Sequence, residues 1–302
     1  VLFRAFFVGI TRTRVLTINA LIMTLSNVVL NYLLIFGKFG CPEMGIAGAA
    51  IASVAAEAIS LLFYLLYVKF RVNTAQYGLA EAKFFDRLIF LRVFNISVWT
   101  MLQSFFAVGV WFYFFVVIEH LGERPLAVVN LVRSVSSILF MLINAFAVTA
   151  SSLASNLIGA GESQRIPGLT WKVTGIAYAA LLPPLLFSVI FPELVLRIYT
   201  DNPELIAASC STLYVMAVGH MLQAPANVWF NVVSGVGKTR AALGIELFTL
   251  LVYTIAVYII GQLLRLNVAW CWTTEILYQA VILALSFGYL KRCLRQGKNL
   301  EV

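Results

Sequence analysis

Four apolar stretches of this 302-residue chain carry polar side chains at helical spacing. Thr17, Thr24, Asn27 and Asn31 are separated by 7, 3 and 4 positions. Asn95, Trp99 and Gln103 recur every four. Asn130, Ser134, Ser137, Met141 and Asn144 step by 4, 3, 4 and 3. His220, Gln223, Asn227 and Asn231 step by 3, 4 and 4, with Pro225 among them. Residues three and four apart share a helix face, so each set is a polar seam on an otherwise Leu-, Val-, Ile- and Phe-rich rod. In hydrocarbon a polar side chain needs a partner or a wet cavity. A single seam can be helix–helix glue, at about 0.6 kcal/mol per bond. Four seams, with Trp99, Trp111 and Trp229 nearby, predict a water-accessible central cavity.

Charges inside the same stretches are rarer. Glu57 lies about 16 Å into its stretch, near a bilayer midplane, at 1.5 Å per residue. Glu246 lies about one and a half turns in from a basic turn at Lys238 and Arg240. Glu275 and Arg133 both enter from the outer side and sit roughly 9–10 Å deep. Equal depth and opposite sign predict an Arg133–Glu275 ion pair, against the alternative that Arg133 snorkels to the outer surface. Glu57, Glu246 and Glu275 are candidates for reversible protonation, because a low dielectric penalises the charged carboxyl. That is the chemistry a proton-coupled carrier needs. The alternative is a permanently neutral acid donating one structural bond.

The elements that position these groups follow from composition. Hydrophobic residues make up 62% and charged residues 11%, where soluble domains carry roughly 25% charge. Such a chain cannot cover a globule with polar surface, so lipid must be its solvent. Eight apolar runs, at about 15–37, 46–68, 93–118, 126–157, 173–191, 205–234, 241–263 and 269–290, have the length of membrane helices. The fold class is therefore an all-α integral membrane protein with eight transmembrane helices. The first run is no signal peptide: it is too long, holds Asn27 and Asn31, and lacks a small-residue cleavage site.

The net charge of +8 does not point to nucleic acid, because its distribution alternates. Sixteen Lys and Arg fall on one set of loops; Lys38, Arg124, Arg197 and Arg265 fall on the other. The asymmetry predicts a cytoplasmic chain start, 69–92 loop and C-terminus. Cys41, Cys210, Cys271 and Cys293 form no CxxC pair and read as apolar fillers. Neither a metal site, a cofactor nor a catalytic residue is expected. The expected partners are small solutes, H⁺ or Na⁺ and membrane lipid, around a monomer.

A repeat underlies the pattern. GITRTR (9–14) and GVGKTR (235–240) are offset by 226 residues, and each precedes two apolar runs. At the same offset Tyr32 falls on Tyr258. Shared orientation means a parallel repeat. A second copy beginning near 88 holds six runs, so its partner would begin about 138 residues before Val1. The expectation is a fragment lacking four helices of a 6 + 6 parent. Gly237-Lys238-Thr239 also resembles the end of a phosphate-binding loop. That motif needs glycine where Val232 stands, and a strand before it, so nucleotide binding is discarded.

NVVLNYLLIFGKFGCPEMGIAGAAIAS (27–53) resembles the fifth and sixth helices of the multidrug and toxic compound extrusion (MATE) family. LASNLIGAGE (153–162), FPELVLRIYTDNPEL (191–205) and GVGKTR are similar to its eighth-helix end, its ninth-to-tenth loop and its tenth-to-eleventh turn. The resemblance covers nearly the whole chain. It implies helices 5–12 of a 12-helix, two-lobe transporter that exports drugs and organic cations in exchange for H⁺ or Na⁺ by alternating access. Residues 1–70 would then end the N-terminal lobe, 71–92 form a cytoplasmic linker, 93–290 form the C-terminal lobe, and 291–302 a cytoplasmic tail. The family's N-lobe cation site uses an acid on helix one and polar residues on helix five. Asn27 and Asn31 match the latter, with Ser53 a further match on helix six.

The sequence also departs from the family. Gln103 stands near a coupling glutamate that some branches carry on helix seven. His220 and Gln223 stand where some carry an acid on helix ten. C-lobe coupling would then fall to Glu246 or Glu275. Trp99, Gln103, Asn144, His220, Gln223, Asn227 and Asn231 are expected to line the cavity. The expected location is a bacterial inner membrane. A lipid-linked oligosaccharide flippase of the same superfamily would want more basic cavity residues than Arg133. A membrane-embedded enzyme would show clustered His, Asp or Glu near one face, and the two histidines stand far apart.

Overall fold

Lipid offers no hydrogen bonds, so each apolar run must satisfy its own backbone, and it does so as a helix. The computed structural model describes residues 2–10, 12–73 and 86–295. Residues 74–85 of the expected linker and 296–302 of the expected tail lie outside the described residues. Ten α-helices are present among the described residues: α1 (Leu2–Gly9), α2 (Thr13–Phe36), α3 (Gly45–Arg71), α4 (Arg87–Glu119), α5 (Glu123–Gly159), α6 (Ile166–Ile190), α7 (Pro192–Arg197), α8 (Pro203–Gly235), α9 (Thr239–Val257) and α10 (Val268–Arg295). Eight of them, all but α1 and α7, are long and apolar enough to cross a bilayer. The protein is a multi-pass membrane protein.

The helices outrun the apolar patterns that announce them. α4 and α5 extend past 93–118 and 126–157 into charged ends, because a hydrogen-bonded ladder need not stop where hydrocarbon does. α6 starts at Ile166 rather than 173, with Pro167 in its first turn, where the missing N–H costs nothing. The 191–205 segment holds the short α7 and then a cap: Asn202 Oδ1 accepts from the backbone N–H of Glu204 and Leu205 at 3.0 and 3.2 Å. α9 continues through a π-helical turn, Tyr258–Leu263.

Two compact units divide the chain, residues 1–86 and 87–302. In the first, α2 and α3 pack closely: a β-carbon at Gly48 would lie 2.5 Å from the Leu34 carbonyl oxygen. Asn19, 2% exposed, donates its amide to the Ser60 hydroxyl at 2.8 Å. Phe7 and Tyr64 stack at the end of this pair. In the second unit, α8 packs against α5, α6 and α10. Small residues line its crossing with α5, where Ala147, Ala150 and Ala154 are fully buried.

The repeat is visible in the backbone. α1 ends at Gly9 and α8 at Gly235, 226 residues apart. α2 begins at Thr13 and α9 at Thr239, again 226 apart. The residues before them, Arg12 (φ −90°, ψ 59°) and Lys238 (φ −88°, ψ 50°), share one conformation. Arg12 and Lys238, at matching positions of the two hexapeptides, thus lead into α2 and α9 in one conformation.

Pro225 sits inside α8 without ending it. A proline cannot donate to the carbonyl four residues back, here Met221. The Tyr178 hydroxyl of α6 donates to that carbonyl at 2.6 Å. Tyr178→Phe should therefore orphan the carbonyl and lower stability by about 1–3 kcal/mol, read as an earlier thermal transition in detergent. Pro225→Ala in the Tyr178→Phe background should restore part of it, because alanine supplies the missing N–H.

Candidate functional site

α4, α5, α8, α9 and α10 enclose a cavity of about 600 Å³ within the second unit. Its α9–α10 wall is built by reciprocal bonds. Glu246 and Tyr253 stand seven residues apart on α9, and Glu275 and Tyr278 three apart on α10, so each pair shares a face. The Tyr278 hydroxyl donates to Glu246 Oε1 at 2.7 Å. The Tyr253 hydroxyl donates to Glu275 Oε1 at 2.8 Å. The two tyrosine rings meet edge to face, 5.7 Å between centroids. Both carboxyls line the cavity, and Glu246 is 2% exposed. One turn beyond Glu275, Gln279 is buried, and its amide oxygen has no protein partner.

α4 contributes an aromatic ridge. Trp111 and Phe115 pack edge to face at 4.8 Å, while Phe114 lies 6.3 Å from the Trp272 ring and 6.4 Å from Tyr253. α5 contributes Arg133, Ser136, Ser137 and Phe140. The Arg133 guanidinium carbon lies 5.3 Å from the Phe115 centroid and 5.7 Å from that of Trp111. α8 contributes Gln223, Asn227 and Asn231, the last donating its amide to the Asn227 carbonyl at 2.9 Å.

The structure gathers Gln103, Arg133, Gln223, Asn227, Asn231, Glu246 and Glu275 around one space. It does not gather the rest. Arg133 and Glu275 form no ion pair: the arginine lies over α4 rings and the glutamate takes its bond from Tyr253. His220, 4% exposed, stands behind the wall, with Nε2 3.0 Å from the Ser136 hydroxyl and Nδ1 2.5 Å from Gln223 Oε1. It ties α8 to α5 rather than lining the cavity. Trp99 also lies outside the lining. Arg240 stacks on it at 5.0 Å and donates to Asn95 Oδ1 at 3.2 Å, so the upper seam of α4 clasps the start of α9. Asn144 is exposed and is not among the residues around the cavity, although it continues the α5 face of 133, 137 and 140 by one further turn. Two hydroxyls of its expected seam, Ser134 and Ser137, donate instead to the Asn130 and Ser134 carbonyls of their own helix. Trp229 packs edge to face with Trp171 and Phe287 in the apolar core.

Tyr253, Tyr278, Gln279 and Ser136 were not singled out by the seams. Their signal was positional: the tyrosines and Gln279 lie on the faces that the two acids mark.

In the first unit, Asn27, Asn31 and Ser53 come together. Asn31 donates its amide to Asn27 Oδ1 at 2.8 Å, and Asn27 donates to the Ser53 hydroxyl at 3.4 Å. Ser53 donates onward to the Ala49 carbonyl at 3.0 Å. Asn31 Oδ1 is buried without a partner. Glu57 is exposed on α3. No cluster of three or more His, Cys, Asp or Glu suited to a metal occurs among the described residues.

Residues 100–260 match the family model described as MatE. Multidrug resistance protein MdtK of Photorhabdus laumondii subsp. laumondii is 26% identical over 237 residues, which cover 77% of this chain and 51% of the relative. A solved outward-facing multidrug resistance MATE family transporter of the MOP superfamily superposes with TM-score 0.82 at 17% identity, over 92% of this chain and 62% of that one. A Vibrio cholerae MATE transporter, VcmN, gives TM-score 0.81 at 14% identity, over 99% and 66%. At these identities the solved structures speak to the fold. The chain spans about half the length of the curated relatives it matches.

Proposed function

The chain belongs to the MatE family, and from that premise we propose that it exports small drugs and organic cations in exchange for H⁺ or Na⁺. One observation carries the reading. A cavity of about 600 Å³, within the usual range for drug-sized ligands, joins aromatic faces to two carboxyls held in place from opposing helices. Aromatic surface takes an apolar body, and carboxyls take a cation or a proton. Uptake of the coupling ion favours one conformation and drug the other, by differential affinity. Glu246 and Glu275 are the coupling groups of the second unit. The Asn27–Asn31–Ser53 cluster, with its free amide oxygen, is the coupling position of the first. The setting is a bacterial inner membrane with the C-terminus in the cytoplasm and alternating access between lobes. The protein is a carrier rather than an enzyme. A flippase for lipid-linked oligosaccharides fits less well, since Arg133 is the one basic residue among the described lining residues.

The experiment uses the natural full-length protein in inverted membrane vesicles. A cationic dye should accumulate under an imposed pH gradient or an imposed Na⁺ gradient, and collapse of that gradient should release it. The gradient that works names the ion. If neither drives accumulation, the antiporter reading fails. Asn31→Ala and Glu246→Gln, compared side by side, report which unit carries the coupling.

A further inference from the structure

The polar face of the first unit does not end at Ser53. On α3, Ser53, Glu57, Ser60 and Tyr64 recur by 4, 3 and 4 positions and share one side. α2 answers twice. Asn27 donates to the Ser53 hydroxyl at 3.4 Å, and Asn19 donates to the Ser60 hydroxyl at 2.8 Å. Glu57 stands between the two bonds on α3 and is exposed. A carboxyl at that depth is costly against hydrocarbon and is tolerated where water or polar groups reach it. The two bonds also leave an acceptor idle at each end. Asn31 Oδ1 is buried without a partner, and so is Oδ1 of Asn19, a residue only 2% exposed. A pair that served only as glue would use both the donor and the acceptor of a buried amide, because an orphaned polar group forfeits its hydration for nothing. One turn past Ser60, Tyr64 stacks on Phe3 and Phe7 of α1, at 5.5 and 5.7 Å between centroids, and ends the face in rings.

We propose that this face is an ion path, with the buried Asn19–Ser60 pair as a second station for the coupling cation, inward of Asn27, Asn31 and Ser53. The ion leaves the outer station and meets the Glu57 carboxyl, which pairs with Na⁺ or takes up H⁺. It then reaches the idle oxygen of Asn19, about 18 Å from Asn31 along α2 at 1.5 Å per residue. Amide, hydroxyl and carboxylate oxygens are the ligands that hard cations take. The Tyr64 stack stands beyond that station, toward the cytoplasmic end of the pair, and is the inner gate. The proposal rests on the exporter reading for the use of the path; that the path admits cations stands on the first unit alone.

The first test needs no transport. In the natural full-length protein with its native cysteines replaced, Ser60→Cys and Glu57→Cys are exposed to Ag⁺, a small thiol-reactive cation, and the surviving thiols are counted by maleimide labelling after denaturation. Both should react. Ala52→Cys, at a fully buried position off that face of α3, should not. A Ser60→Cys thiol as shielded as that at position 52 overturns the proposal whether or not the protein exports. Gradient-driven dye accumulation then tests the use of the path. Asn19→Leu should lower the maximal rate by about 10- to 100-fold, the worth of one charge-assisted hydrogen bond. The ion concentration for half-maximal rate should stay the same, because the outer station is intact, whereas Asn31→Ala should raise it. Glu57→Gln, at an exposed position, should show the same split as Asn19→Leu and serves if the leucine variant does not fold. Rates that merely follow melting temperature across these variants, or an unchanged maximal rate, overturn the proposal. Absence of gradient-driven accumulation in the wild type sinks the exporter reading and leaves the Ag⁺ result to decide the path by itself.

Discussion

Gly235→Leu should leave little folded protein in the membrane. The last residue of α8 crosses α5 where a β-carbon would lie 2.5 Å from the Ser151 carbonyl oxygen, 2.6 Å from its hydroxyl and 2.8 Å from its Cα. Ser155 adds a bond across the same crossing, donating its hydroxyl to the Gly235 carbonyl at 2.8 Å. Membrane helices lack a hydrophobic force between them, so close approach of backbones supplies much of their association. Overpacking costs about 1–3 kcal/mol where side chains can yield. Here the obstacle is backbone, and the helices must part along the Ala147–Ala150–Ala154 stripe. Ser151→Gly removes the hydroxyl but not the carbonyl, so it should not rescue the variant. Gly244→Ala on α9, where nothing lies within 4 Å of the new carbon, should be nearly silent. The measurement is membrane yield together with the thermal transition of purified protein. A Gly235→Leu protein that melts with the wild type would mean α5 and α8 do not meet this closely.

The eight crossings were legible because the constraint that produces them is local. A run of apolar residues in lipid has only a helix open to it, and each run met that condition within its own length. The repeat was legible for the same reason: GITRTR and GVGKTR are alike in sequence, and Arg12 and Lys238 enter their helices with matching dihedrals. The cavity was half legible. A seam tells which residues share a face but not which neighbour that face meets. So Asn95, Trp99 and Gln103, one seam, divide between a clasp on Arg240 and the cavity wall. Asn227 and Asn231 line the space as their spacing suggested, while His220 turns to Ser136. The Arg133–Glu275 pair failed on rotation about the helix axis, which depth cannot supply. Two charges at equal depth can face different neighbours, and aromatic rings claimed one of these while a tyrosine claimed the other.

Glu246→Gln should abolish gradient-driven export while leaving the fold intact. Glutamine keeps the length and shape of glutamate, and its amide oxygen can still accept from Tyr278. The variant therefore separates the bond from the ability to take up a coupling ion. An ion drives a conformational cycle only through different affinities for the two states, and a swing from 1:99 to 99:1 needs about 10⁴-fold difference. A neutral amide supplies almost none of that difference for H⁺ and a weaker one for Na⁺. Accumulation of dye should drop toward the leak, by about 100-fold or more on that scale. Tyr278→Phe is the counterpart. It leaves the acid and removes the bond that orients it, so stability should fall by about 1–3 kcal/mol while a gradient response survives at reduced rate. Glu275→Gln and Tyr253→Phe repeat the comparison on the mirrored pair. The pair whose Gln variant loses coupling holds the ion; if neither does, and melting curves are unchanged, the acids act only as anchors between α9 and α10, and coupling resides in the first unit at Asn27, Asn31 and Ser53.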